Sequence, residues 1–330
     1  MPNEECMSEF SFANLNPDRI LDAIESIGVY PETGLLPLNS YENRVYQFKA
    51  EDGKRYVTKF YRPERWSEAQ IKEEHAFAFE LASEEVPIVA PAQIENTSLF
   101  EHAGYKFALF PSVGGRQFEI DNLDQLEMFG RYIGRLHLVG KSKPFQHRLS
   151  INSQSYLFVA KDAIQNSKLV PIHLEAAFYT ILEQVISLTA QMYHVDKPIR
   201  LHGDAHAGNI LCTGDSLTLV DLDDCRSGPA IQDLWMMLNG DKNEQLIQLD
   251  TLLMGYEEFN SFDAKELQLI EPLRAMRMVH YMGWLAARWE DPAFTRNFSW
   301  FATDKYWEQQ ILALKEQLAA LQEPALQLFP

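Results

Sequence analysis

Between Leu201 and Asp224 the chain reads LHGDAHAGNILCTGDSLTLVDLDD, with five aspartates, two histidines and one asparagine set among short apolar runs. NILC and SLTLV, separated by Thr213-Gly214-Asp215, predict two short strands joined by a tight turn. Such a hairpin carries Asp221 back beside the loop that bears Asp204 and Asn209, so three oxygen-bearing side chains converge. A stretch this polar, closed by a hairpin, constrains the surrounding fold and the chemistry more than any other part of the chain.

His202 and His206 stand four apart, as in the zinc motif H-E-x-x-H. That motif needs a glutamate after the first histidine and a continuous helix to align both rings. Here Gly203 follows the first histidine and Gly208 comes soon after, which argues for a loop. Phosphoryl transfer fits the same residues better. It needs a carboxylate to accept the proton of an attacking hydroxyl, and oxygen ligands to hold Mg²⁺ against the phosphates. Kinases place the base and a metal-ligand asparagine on one loop at D-x-x-x-x-N spacing, with a second metal aspartate further on. Asp204-Ala-His-Ala-Gly-Asn209 has that spacing, and the hairpin ends in Asp221. Asp204 is therefore the candidate base and Asn209 a candidate magnesium ligand. Asp221 counts as both catalytic and metal-binding. The histidines reduce to loop scaffolding and Asp215 to turn chemistry.

The rest of the chain supplies matching parts in order. RVYQFKA and RYVTKFY alternate apolar and polar residues around Asp52-Gly53, predicting a hairpin. LNSYENRVYQF lies ahead of it, where a phosphate loop belongs. No G-x-G-x-x-G occurs, but backbone N–H groups can cradle phosphates, and Ser40 could add a hydroxyl. Lys59 falls on the returning strand, where a lysine would reach the phosphates; a solvent-facing strand lysine is the plainer alternative. SEAQIKEEHAFAFELAS has helical spacing with Ser67 as N-cap. Its adjacent glutamates, Glu73 and Glu74, are both candidate partners of Lys59. A further hairpin is predicted at Ala103-Gly104. Beyond SVGGR the pattern turns helical almost to the end, apart from the hairpin already described. KSKPFQHRLSINSQ has no period and reads as a surface loop. The expectation is an α+β chain, with a β-rich nucleotide lobe at 1–112 and a mainly helical catalytic lobe at 113–330.

LHGDAHAGNIL and LVDLDD resemble the signature of the aminoglycoside phosphotransferase and choline kinase superfamily, which shares the two-lobed protein-kinase fold. The resemblance implies Asp204 as catalytic base, Asn209 as magnesium ligand and Asp221 as the principal metal aspartate, with ATP and Mg²⁺ as cofactors. The spacing of Glu74 to Leu81 resembles the superfamily pattern, so Glu74 rather than Glu73 is the expected partner of Lys59. Asp223 and Asp224 are given no catalytic role. It also implies that Asp233, in GPAIQDLW, tethers the catalytic loop from below. His137, in GRYIGRLH, matches a recurring helix-end histidine and reads as packed core. Gly203 stands where kinases regulated by an activation loop carry an arginine, and no A-P-E follows, so a constitutively assembled site is expected. KFYRPERW, FPSVGGRQFE and EPLRAMRMVHYMGWLAARWEDPAF are similar to one branch, the bacterial stress response kinases. These are cytoplasmic serine/threonine protein kinases. The superfamily also acts on small alcohols, so an amino-alcohol, homoserine-like or choline-like acceptor is the alternative. Arg274, Arg277, Tyr281, Trp284 and Arg288 form one helical stripe. It could border an acceptor or be core aromatics with snorkelling arginines.

Lys+Arg 29 against Asp+Glu 47 gives a net charge of −18. So negative a surface repels phosphate backbones, which argues against nucleic acid or an anionic membrane as main partner. Basic protein segments suit it better. Cys6, Cys212 and Cys225 are too few for a disulfide framework and point to a reducing compartment. No secretory signal or membrane span is recognisable. A cytoplasmic monomer is expected.

Overall fold

The computed structural model describes residues 12–214 and 216–328, so Cys6 and Asp215 lie outside the described residues. In chain order, α1 (Pro17–Glu25), β1 (Leu36–Pro37), β2 (Arg44–Lys49), β3 (Arg55–Phe60) and α2 (Glu68–Ser83) come first. β4 (Phe100–His102), β5 (Tyr105–Pro111) and β6 (Arg116–Gln117) follow. Next are α3 (Leu123–Gly140), α4 (Val159–Ser167), α5 (Ile172–Met192) and β7 (Ile199–Leu201). β8 (Ile210–Thr213), β9 (Ser216–Leu219) and β10 (Arg226–Gly228) lead into α6 (Gln232–Trp235), α7 (Lys242–Tyr256), α8 (Ile270–Ala287), α9 (Pro292–Asn297) and α10 (Asp304–Gln322). The fold is α+β, as expected.

Two compact units make up the chain. Of the described residues, the first contains 12–118, Gln146–Arg148 and those of Ala207–Asp224. Its main sheet is antiparallel, in the order β1-β2-β3-β5-β4. The predicted hairpins form it: β2 pairs β3 across the Asp52-Gly53 turn, and β4 pairs β5 across Ala103-Gly104. Ala103 and Gly104 both have positive φ (48° and 81°), the backbone that a tight two-residue hairpin requires. Lys59 sits in the middle strand, opposite Val45 of β2 and Ala108 of β5. One face of the sheet packs Phe48, Phe60, Phe107 and Leu109 against Ile20 and Ile24 of α1. A second small sheet, β6-β8-β9, holds the polar hairpin.

Ser67 begins α2 with a capping box: its hydroxyl accepts from Gln70 N–H while the Gln70 side chain accepts from Ser67 N–H. Such a cap stabilises a helix start by about 1 kcal/mol. The buried face of α2 is Ile71, Glu74, His75, Phe77, Ala78 and Leu81. Spacings of three and four put a glutamate and a histidine on the same side as the apolar anchors. Buried polar groups need partners, and His75 has two, Tyr61 Oη at 2.8 Å and Ser98 Oγ at 2.9 Å.

The second unit contains 119–145, 149–206 and 225–328. It is built of helices, with α3 packed on α7, α4 on α8, and α5 on α10. Gly130 and Gly255 let α3 and α7 touch backbone to backbone. A Cβ added at Gly130 would lie 2.0 Å from Leu252 O, and one at Gly255 2.0 Å from Glu127 O. The region expected to be almost wholly helical also contains β10, which pairs with β7. Three-residue strands are too short to show an alternating pattern.

One further expectation is corrected. Gln146–Arg148, read as part of a surface loop, is fastened to the first unit, and Arg148 is buried. Among the described residues no helix is long and apolar enough to cross a membrane.

Candidate active site

In the first unit Lys59 is the hub. Its Nζ lies 3.5 Å from Glu74 Oε1, 3.0 Å from Asp221 Oδ1 and 2.9 Å from Asp223 Oδ1. Its side chain is only 7% exposed, so the plainer alternative of a solvent-facing lysine does not hold. Burial opposes its charge, but the carboxylates of Asp221, Asp223 and Glu74 outweigh burial and raise its pKa well above the ordinary lysine value. Glu74 is pushed up to about 7 by burial, against the pull of Lys59 and Arg148. The neighbouring Glu73 accepts instead from the backbone N–H groups of Gln146, His147 and Arg148, at 2.6, 2.7 and 2.7 Å. Of the two adjacent glutamates, Glu74 is the one that faces Lys59.

Asp223, left without a role by sequence reasoning, is a full member of the cluster. Besides Lys59 it meets Arg65 Nη1 at 2.5 Å, and Arg65 Nη2 reaches Asp224 at 2.8 Å. Burial works against the Asp223 carboxylate, but Arg65 and Lys59 prevail and hold its pKa down at about 2. The RPER segment after β3 was the available signal. It places an arginine near the end of the strand that carries Lys59.

Asn209 and Asp221 bracket the polar hairpin. β8 and β9 pair from Ile210–Leu219 to Thr213–Ser216, and Val220 N–H donates to Asn209 O at 3.0 Å, closing the base of the hairpin between the two residues. Asp221 adopts φ 65°, a backbone that non-glycine residues rarely take. Strain of this kind collects at functional sites. Its side chain is 51% exposed. Among the described residues no three His, Cys, Asp or Glu side chains form a ready-made metal cage. Mg²⁺ does not need one, since it is usually held by one or two carboxylates together with substrate phosphates and water. An accessible aspartate and an asparagine amide oxygen fit that ion. Ser40 lies half-buried in the loop between β1 and β2.

The second unit carries Asp204. Asp233 is fully buried and accepts the backbone N–H groups of His202 (Oδ2, 2.8 Å) and Gly203 (Oδ1, 2.8 Å). His137, packed in the core, donates from Nε2 to Asp233 Oδ2 (3.0 Å) and meets Tyr256 Oη through Nδ1 (3.0 Å). Gly203 has φ +85°, which explains a glycine before Asp204. Asp204 itself is half-buried. Arg277 Nη1 on α8 donates to its Oδ1 at 2.7 Å, and His206 Nε2 lies 3.3 Å from its Oδ2. His206 therefore touches the candidate base as well as belonging to its loop.

The α8 stripe divides. Arg277 reaches Asp204, whereas Arg274 lies over Trp235 (5.1 Å) and Arg288 over Trp284 (5.5 Å). Tyr281 is partly exposed and stacks on Trp284 at 5.7 Å. Cys212 and Cys225 are both buried and unbridged.

Residues 34–270 match the profile of the phosphotransferase enzyme family (APH). The stress response kinase A of Escherichia coli is 52% identical over 324 residues, covering 98% of this chain and 98% of that protein. A serine/threonine protein kinase named RdoA from Salmonella typhimurium is 52% identical over 322 residues, covering 97% of this chain and 98% of that protein. Among solved structures, a microcompartment-associated aminopropanol kinase superposes with TM-score 0.69 at 18% identity, over 92% of this chain and 98% of that one. An amicoumacin kinase in complex with AMP-PNP and Ca²⁺ gives TM-score 0.68 at 18% identity, over 89% and 94%. At such identities the structures establish a shared kinase-like fold.

Proposed function

The chain belongs to the phosphotransferase enzyme family, and from that premise we propose that it transfers the γ-phosphoryl group of ATP to a serine or threonine hydroxyl of a protein. The observation that carries the reading is the buried Lys59, held at once by Glu74 and Asp221. A buried lysine set between a helix glutamate and a strained aspartate is the phosphate-gripping arrangement of a kinase.

The residues take distinct roles. Lys59 contacts the phosphates, Glu74 holds Lys59 in place, and Ser40 offers a hydroxyl from the loop before β2. Asn209 and Asp221 would hold Mg²⁺, which neutralises charge on the phosphates when bound. The acceptor oxygen bonds to the γ-phosphorus as the bond to the β,γ-bridging oxygen breaks, and ADP leaves. Asp204 accepts the hydroxyl proton, on a loop whose backbone Asp233 fixes. In functional terms 1–112 is the nucleotide lobe and 113–330 the catalytic lobe.

Arg277 favours a protein acceptor over the choline-like or amino-alcohol alternative. A quaternary or protonated amine two or three bonds from the reacting hydroxyl would be brought toward the guanidinium that binds Asp204, and like charges repel. The names of the E. coli and Salmonella relatives support the same reading, together with a stress-response role. The reading takes the protein as a monomer and as cytoplasmic, the latter in keeping with the unbridged Cys212 and Cys225 among the described residues. Labelled ATP offered with a generic basic protein, and separately with a panel of small alcohols, tests it. Labelled protein is expected, whereas label only in a small alcohol would replace this reading with the alternative.

A further inference from the structure

Arg148 is a buried charged residue for which the transfer chemistry has no direct use. It lies in Gln146–Arg148, far in sequence from every residue it meets. The first half of α2 fastens this segment: Glu73 takes its three backbone N–H groups, and Gln70 Nε2 donates to His147 O at 3.0 Å. The Arg148 side chain, 0% exposed, then runs along the inner side of α2. Its Nη1 lies 3.7 Å from Glu74 Oε2, on the carboxylate whose other oxygen faces Lys59. Its Nη2 donates to the carbonyls of Leu222 and Asp223, in the turn just after Asp221. Its guanidinium lies 4.0 Å from the centre of the Trp66 ring, and Arg65 lies over the same indole at 5.2 Å.

A planar, permanently charged fork can donate to two carbonyls while its charge faces a carboxylate, and here the Glu74 contact, at 3.7 Å, is an ion pair without a hydrogen bond. Burying it is costly unless every partner is in place. The pairing therefore fixes Glu74 and the Leu222–Asp223 turn to one another through a single side chain. Kinases that need activation leave the helix glutamate free to leave its lysine until a modification pulls it in.

We infer that Arg148 is a positioning residue that keeps Glu74 against Lys59 and fixes the turn following Asp221, so that the phosphate-gripping lysine is assembled without modification. The inference rests on the kinase reading given above. It adds a device that replaces activation-loop control, namely a strap held by Glu73 and ending in an arginine.

The test is a double-mutant cycle of Arg148→Met and Glu74→Gln, with Arg148→Lys as the conservative variant. It is read by ADP formation with myelin basic protein as acceptor and by melting temperature. Arg148→Met should lower kcat by about tenfold in the natural background but by less than about threefold when Glu74 is already glutamine. Arg148→Lys should fall between, because charge returns without the fork. Equal losses in both backgrounds would make Arg148 merely structural and overturn the inference, as would unchanged turnover in Arg148→Met. Should Arg148→Met not fold, Arg148→Lys takes its place in the cycle and the same comparison applies. A natural protein that forms no ADP would contradict the kinase reading alone. The inference would then be decided by the melting temperatures, which must be non-additive for Arg148 and Glu74; additive losses overturn it.

Discussion

Arg277 on α8 donates to Asp204 Oδ1 across 2.7 Å, so the candidate base is held by a cation from a helix more than seventy residues away in sequence. The contact aims the carboxylate, which a general base requires. Arg277→Ala should lower kcat by about tenfold while leaving the KM for ATP within about twofold, because Arg277 binds Asp204, which is assigned to the transfer step. Steady-state rates at varied ATP check this. A change confined to the KM for ATP would contradict the assignment.

Glu74 gives a pH dependence with a definite sign. Burial holds its pKa at about 7, so it is largely protonated in mildly acidic solution and ionises as pH rises through neutrality. Only the ionised form pairs with Lys59. The kcat/KM for ATP should therefore climb through about pH 7, and Glu74→Gln should be slower and lack that rise. A rise that survives in the variant would mean another group controls it.

Asp223 contributes to stability in the opposite direction. Its folded pKa is depressed to about 2, so it favours the fold above the ordinary carboxylate range and loses that effect as pH falls from about 4 toward 2. Asp223→Asn should cost about 2 kcal/mol at neutral pH, and the deficit should shrink in that acid window. Denaturant melts at pH 7 and pH 3 measure it.

Asp233 acts through backbone. Without it, the N–H groups of His202 and Gly203 and the ring of His137 lose a buried partner. Asp233→Ala should destabilise the protein by about 3 kcal/mol or more, since each orphaned buried donor costs roughly 1–3 kcal/mol. A change below about 1 kcal/mol in urea unfolding would show that the loop is held by something else.

Residues whose partners lie close by in sequence, or at a fixed spacing, are legible in the sequence itself. Both sheet hairpins announce themselves by Asp-Gly and Ala-Gly turns between alternating strands. The Ser67 cap follows from helical period, the preference for Glu74 from its superfamily-like spacing to Leu81, and the expectation for Asp204, Asn209 and Asp221 from loop spacing. Arg148 is illegible there because its segment has no period and its partners lie more than seventy residues away on either side. Asp223 is illegible for a different reason. In LVDLDD three aspartates look alike, and only the chain's turn after the strained Asp221 brings Asp223 onto both Lys59 and Arg65. Arg277 stands in a recognisable stripe, but periodicity alone does not tell it from Arg274 and Arg288, which lie over tryptophans.

The central claim is that Asp204 takes the proton of the acceptor hydroxyl. Labelled phosphoryl transfer from ATP to a basic protein, measured side by side for the natural protein and Asp204→Ala with nucleotide affinity determined on both, tests it most directly. Transfer should fall by about three orders of magnitude with nucleotide affinity within about threefold. Undiminished transfer by Asp204→Ala would contradict the account.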